Sequence, residues 1–160
     1  MSDQPLLTID GAVDRPVQLT ADDMAALSAA SQIPDVGTIV PGRRGTAITL
    51  RGLLELVNPH ATAKHLTLHA SKDNFHASVP LDQVRERAFL IYRLNDAPLS
   101  AQAGGPFRFF VPDHLSCRSA EIDECANVKF VDRIELSHEK GFDNRPHDDA
   151  EHAKLHAGEH

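Results

Sequence analysis

Residues 90–112 read LIYRLNDAPLSAQAGGPFRFFVP, two apolar stretches separated by turn-forming residues. The run 88–94 has the β-branched and aromatic content of a buried strand, and a turn follows it. Gly-Gly-Pro at 104–106 interrupts the chain again before residues 107–111, a second strand candidate. That strand ends at Pro112, because proline has no N–H to donate to a sheet. The stretch therefore predicts two strands joined by irregular backbone.

The preceding sequence predicts a short helix and a hairpin. Apolar residues of the segment 50–57 recur at i, i+3, i+4 and i+7, the spacing of one helix face, and Asn58-Pro59 ends that helix. Residues 65–70 and 75–79 alternate apolar and polar side chains, as half-buried strands do. SKDN between them is typical of a turn, so these two strands are predicted to pair.

Other elements are less regular. Residues 6–9 form a short strand candidate, and Thr20 is placed as the N-cap of a helix. Residues 31–46 gain prolines and glycines and are predicted to be mostly loop, with a short strand at 37–40. A last strand candidate covers 128–136. Strands and short helices without regular alternation predict an α+β domain of mixed β-sheets, not a doubly wound parallel sheet.

Length and charge limit the classes of function. A chain of 160 residues suits one main domain, predicted here as residues 1–137, followed by a charged, histidine-rich tail at 138–160 that is flexible or weakly helical. A net charge of -7 argues against nucleic acid and anionic membrane as partners. No apolar run is long enough to span a bilayer and no secretory signal is visible, so we expect a cytoplasmic protein.

Five stretches, taken in order, resemble the molybdopterin-binding domain of the sulfite oxidase family. The most specific is residues 90–112, which resemble the family's "Asn-Gly-x-Pro-Leu … Gly-Gly-Pro-x-Arg-x-x-Val-Pro" passage. The other four are LLTIDGAVDRPVQLTADDMAAL (6–27), ITLRGLLELV (48–57), LHASKDNFHASVPLDQV (68–84) and NVKFVDRIEL (127–136). The resemblance implies a fold of mixed sheets with few short helices. It also implies a molybdenum cofactor held through its pterin and phosphate by backbone and basic side chains.

One family feature is missing. Enzymes of the family, which oxidise sulfite or reduce nitrate or sulfoxides, place a cysteine thiolate on the metal from a loop that corresponds to residues 28–50. Here that interval contains no cysteine. Ser31, Asp35 or Thr38 are alternative ligands, and a rearranged loop is another way to supply sulfur, from Cys117.

The resemblance implies several basic contacts to the cofactor. Lys129 matches a basic position and is carried over as a contact to the pterin phosphate, although a solvent-facing strand residue fits equally well. For Arg108, which also matches, we favour an ion pair on a sheet face. Arg43 and Arg44 form a cationic loop where the family puts its metal ligand, and they either grip an oxyanion or phosphate or are simply exposed.

Histidines are the remaining candidates for the cofactor site. His69 lies where the family places pterin-contacting residues, and pairing across a four-residue loop puts it opposite His76 on the polar face. His114, beside Asp113, enters a loop that lies near the cofactor in the family. It is a candidate proton relay or anion contact, or a surface residue.

Cysteines and tail histidines are candidates for other chemistry. Cys117 and Cys125 have acidic neighbours, which favours plain thiols over a disulfide, a redox pair or metal ligands. His152, His156 and His160 share one face if the tail is helical, and they predict loose binding of a divalent metal.

Two functions follow from these features. The missing thiolate favours a non-catalytic binding module for a molybdopterin-type ligand, an anion or a protein partner. The alternative is a molybdenum-dependent oxidoreductase with an altered set of metal ligands, acting on a small oxyanion or sulfur substrate.

Overall fold

The computed structural model describes residues 6–95, 97–111 and 128–143 of the chain. Within them, two β-sheets and three short α-helices form the fold, so the predicted α+β class with mixed sheets and few helices is confirmed. None of these helices has the length and apolar character needed to cross a membrane.

The described strands and helices are short and follow one another closely. The strands are β1 (Leu7–Gly11), β2 (Val17–Leu19), β3 (Gln32–Ile33), β4 (Thr46–Thr49), β5 (His65–Ala70), β6 (Phe75–Pro80), β7 (Phe89–Leu94), β8 (Ala97–Pro98), β9 (Arg108–Phe110) and β10 (Arg133–Ser137). The helices are α1 (Ala21–Ala25), α2 (Leu50–Val57) and α3 (Leu81–Val84).

The two sheets have different topologies. The first has the order β2-β1-β10-β5-β6, and its β1–β10 pair is parallel while the others are antiparallel. The second has the order β3-β4-β7-β8, with β9 also antiparallel to β7. Apolar side chains of both sheets and of α2 meet in one main core, and a smaller apolar cluster lies on the other face of β7 and β9.

Helix α2 forms as its periodicity predicts. Its four apolar positions are all buried, and each buried leucine or valine contributes roughly 1.5–3 kcal/mol relative to an exposed one. The Thr49 hydroxyl accepts from the Gly52 N–H at the start, and Asn58 ends the helix in the left-handed conformation. The predicted Thr20 N-cap is also confirmed, as part of a capping box with Asp23.

Two predicted strands differ from the structure. The strand predicted at 37–40 is wrong: Val36–Thr38 form a single 3-10 turn, because the Asp35 carboxylate accepts from the Gly37 N–H. The last strand begins at Arg133 and not at 128. Phe130 takes a positive φ of 59° that no strand residue adopts, so the preceding residues form a bend.

The chain stays on the first sheet beyond the predicted domain end at residue 137. Gly141 lies against Thr67 and donates its N–H to the Ser78 hydroxyl, and the Asp143 carboxylate accepts from the Ser78 N–H. Thr67 and Ser78, predicted on a polar face, are therefore fully buried. Where the domain ends remains a prediction, but residues 138–143 pack with it.

Gly105 lies at the closest backbone approach in the segment before β9. A Cβ there would be 1.9 Å from the Leu99 carbonyl oxygen, and that atom is backbone and cannot rotate away. We expect Gly105→Ala to lower the free energy of unfolding by about 3 kcal/mol, the upper end of overpacking costs. Chemical denaturation measures it.

Gly42→Ala is the control for backbone strain without a close approach, because Gly42, unlike Gly105, has a positive φ and nothing lies within 4 Å of its Cβ position. Strain alone predicts a loss of about 1 kcal/mol. Equal losses for the two variants would show that the close approach at Gly105 does not constrain the fold.

Candidate functional site

Two basic residues far apart in sequence flank one glycine. A Cβ on Gly104 would lie 3.1 Å from Cδ of Arg108 and 3.1 Å from Cγ of Lys129. The Phe130 N–H donates to the Gly104 carbonyl at 2.8 Å and fixes the segment that carries Lys129. The structure thus brings together two cations that the sequence separates by about twenty residues.

The loop between β3 and β4 adds a third cation. Gly45 accepts from the Val36 N–H and packs against Ile91, so this loop covers the smaller apolar cluster. The Arg43 guanidinium lies 4.8 Å from the centre of the Phe110 ring, which stacks on Phe89. Phe110 and Arg108 are two residues apart in β9 and face the same side. We call Arg43, Arg108 and Lys129 the cationic cluster.

Within the described residues, no negative charge compensates the cationic cluster. Throughout residues 6–95, 97–111 and 128–143, no carboxylate lies within ion-pair distance of its three members. Arg108 Nε is buried without a hydrogen-bond partner, and its Nη1 makes only a long 3.4 Å contact with the Ala103 carbonyl. Burial, and then Arg43, lower the pKa of Arg108. A buried, unmatched donor among cations is suited to an anionic ligand.

The ion pair favoured for Arg108 is therefore not found among the described residues. Arg44 is exposed, and its side chain shares the loop but not the contact of Arg43 with Phe110. Phe110 and Gly104 are site residues that the sequence analysis missed. The two-residue spacing of Arg108 and Phe110 in β9 could have indicated that Phe110 belongs to the site.

His69 belongs to a different surface. It pairs with His76 in the predicted register, and its ring nitrogens contact His76 Nδ1 at 2.8 Å and Glu135 Oε1 at 3.0 Å. Both nitrogens are occupied, so the structure does not bring His69 into the cationic cluster. His114 lies outside the described residues.

Comparison with known proteins agrees with this fold. The family described as "Oxidoreductase molybdopterin binding domain" matches residues 44–144. The chain belongs to this family.

A solved structure with a similar fold was also found. The crystal structure of the sulfane dehydrogenase SoxCD from Paracoccus pantotrophus matches with a TM-score of 0.64 and 19% identity, over 88% of this chain. This chain spans 40% of that one, so the similarity shows the fold alone. No curated protein matches.

The residues present fit the pterin part of the family's cofactor better than they fit its metal. The cationic cluster includes an unpartnered buried donor, as a phosphate site requires. Asp35 and Thr38, alternative ligands in place of the family's cysteine, are used locally: the Thr38 hydroxyl donates to the Asp35 carbonyl. Ser31 lies against Gly52 of α2.

Other metal donors are equally scarce in the described structure. Its residues contain no group of three histidine, cysteine, aspartate or glutamate side chains that suits a metal ion. Cys117, Cys125 and the tail residues His152, His156 and His160 lie outside those residues. A surface cavity of about 490 Å³ lies elsewhere, between α2 and the residues that follow α3.

We predict that Arg108 lowers the stability of the folded domain. Methionine keeps the apolar stem and removes the unpartnered buried donor, whose desolvation costs about 1–3 kcal/mol. We therefore expect Arg108→Met to raise the free energy of unfolding by about 1 kcal/mol, measured by denaturant titration.

Arg133→Met is the matched control, because Arg133 Nε lies 2.8 Å from Asp10 Oδ1. It should lower stability by about 1 kcal/mol, since the pair is half-exposed. If Arg108→Met costs as much as Arg133→Met, Arg108 has a structural partner and the site loses its central feature.

Proposed function

We propose that this domain binds a molybdopterin-type ligand through the ligand's phosphate, without a cysteine thiolate on the metal, and that it acts as a binding module and not as a redox catalyst. The observation that supports the proposal is the cationic cluster beside Gly104 and β9, which has no carboxylate at ion-pair distance among the described residues. No ion pair within the described residues accounts for a basic side chain at any of its three positions.

Each member of the cluster has a distinct part in the proposal. Arg108 is half-buried and its fork-shaped guanidinium is suited to two phosphate oxygens at once. Lys129 is exposed, its Cγ lies 3.1 Å from the same Gly104 Cβ position as Arg108 Cδ, and it adds a point charge. Arg43 is held by the Phe110 ring, so its position costs little side-chain entropy when an anion binds. Together they form a cradle for a doubly charged group.

The metal part of the cofactor has less support from this chain. A molybdenum cofactor supplies two-electron redox chemistry when it is bound, and the protein tunes it through its ligands. Within the described residues, the loop that corresponds to the family's cysteine segment supplies a guanidinium instead of sulfur. We infer that the domain retains the pterin contact and has lost the protein's ligand to the metal.

The test is co-purification from a host that makes the cofactor. We expect one pterin per chain, measured as its fluorescent oxidation product, and retention weakened about 30-fold in Lys129→Glu. This factor corresponds to about 2 kcal/mol, the worth of a hydrogen bond between charged groups. Lys64→Glu is the control, because Lys64 is also exposed but lies just before β5, at the end of that strand far from the Lys129 segment. Equal retention in wild type and Lys129→Glu would remove the pocket.

The oxidoreductase alternative gives a different result in the same preparation. It requires stoichiometric molybdenum by elemental analysis and turnover with an artificial electron acceptor. That outcome would overturn the non-catalytic part of the proposal and leave the pterin contact in place.

Three other expectations stay predictions: the cytoplasmic location, a protein partner, and metal binding by the tail histidines. For the tail, deletion after Asp143 should abolish retention on an immobilised-nickel column. The melting temperature should change little, because Gly141 and Asp143 keep their contacts with Ser78. A large fall in melting temperature would place the tail in the fold.

A further inference from the structure

A pair of histidines on the outer face of the first sheet makes contacts that can use three ring hydrogens, one more than two neutral imidazoles carry. Nδ1 of His69 and Nδ1 of His76 are 2.8 Å apart, and only one hydrogen fits between two nitrogens at this distance. His69 Nε2 lies 3.0 Å from Glu135 Oε1, and a carboxylate only accepts, so this nitrogen carries hydrogen. His76 Nε2 faces Asn74 Oδ1 at 3.3 Å and carries the third.

Three hydrogens on four nitrogens give the pair one positive charge. That state satisfies all three contacts at once. With two hydrogens, one of the contacts lacks its donor. With four hydrogens, both Nδ1 atoms carry N–H groups that point at each other, and the rings must separate.

The C-terminal segment rests on this pair. The Phe142 ring lies edge-on to His76, with ring centres 4.9 Å apart. On either side of it, Gly141 donates to the Ser78 hydroxyl at 2.9 Å and Asp143 accepts from the Ser78 N–H at 2.9 Å. Residues 141–143 therefore depend on the position of His76 and on Ser78, two residues further along β6, whereas His138 is held separately by the Thr62 carbonyl and by stacking on His60.

Charged groups around the pair come from four parts of the fold. Glu135 and Arg133 belong to β10, and Arg133 lies between Glu135 and Asp10 of β1. Asp132 precedes β10 and favours a charged His76, and Asp143 belongs to the segment itself. Burial, and then the His69 ring, lower the pKa of His76 despite Asp132. Since its ordinary value is 6.5, His76 stabilises the fold less as the pH falls below that value.

We propose that the His69–His76 pair is a proton-operated latch for residues 141–143. With one hydrogen between the rings, the segment is held on the sheet. A further proton separates the rings, displaces His76 from beneath Phe142 and releases the segment. Release uncovers the buried Thr67–Ser78 hydroxyl pair and the outer edge of β6, the terminal strand of the first sheet in the described structure. An uncovered edge strand can pair with another chain.

The experiment uses the full chain labelled with nitrogen-15. Amide exchange gives protection factors for Gly141 and Ser78 at about pH 7.5 and about pH 5, and ring nitrogen shifts count the hydrogens on the pair. We expect protection of both amides to fall at least tenfold at the lower pH, together with uptake of the fourth ring hydrogen. Uptake of that hydrogen with unchanged protection would overturn the latch, as would rings that keep three hydrogens while protection falls.

Two variants separate the latch from the neighbouring carboxylate. His76→Gln removes the titrating ring, and it should abolish the difference between the two pH values. Asp143→Asn keeps an oxygen acceptor for the Ser78 N–H but does not titrate, so it should retain the difference. The reverse pattern would assign the pH response to Asp143 and refute the proposal, whether or not His76→Gln folds as stably as wild type.

Discussion

The close approach of the backbone at Gly104 and Gly105 determines the geometry of the candidate site. With no side chain at either position, the chain passes directly over the Leu99 carbonyl and leaves room for the stems of Arg108 and Lys129 beside Gly104. The segment that carries Lys129 then bonds to Gly104, Phe107 and Phe109 through its backbone. Basic side chains reach one place because two glycines permit the crossing. The family's Gly-Gly-Pro sequence thus has a direct structural reason.

Electrostatic balance distinguishes this region from the rest of the molecule. On the first sheet, Arg133 and His69 share the acidic groups Asp10 and Glu135, and their charges are matched. In the cationic cluster, Arg108 keeps a buried donor unmatched at a cost of roughly 1–3 kcal/mol. Burial of apolar side chains in the main core offsets that cost. A local violation of the rules for stability that a strong core tolerates is a common property of binding sites.

How far the sequence predicts this protein depends on the range of the interactions involved. Helix α2 and the β5–β6 hairpin were predicted because periodicity and turn residues act within a few positions. The 3-10 turn at Val36–Thr38 was missed, since one hydrogen bond from Gly37 to Asp35 outweighed its strand propensity. The surroundings of Arg108, and Glu135 as a second partner of His69 besides the predicted His76, were not foreseen for another reason. Their environments come from Arg43 and Glu135, which are 65 or more residues away and have no local signature.

The loop between β3 and β4 gives the strongest argument about what the site does. In the family this loop supplies an anionic sulfur, and an anionic donor stabilises a metal cation. Here the same interval supplies Arg43, placed over Phe110 and close enough to Arg108 to lower its pKa. A guanidinium opposes a bare cation and stabilises an anion, which is the physical reason for proposing that this loop contacts the anionic end of the ligand and not a metal. Loss of the cysteine alone would leave a weakened metal site, whereas its loss together with a seated arginine favours a site built for the anionic end of the ligand.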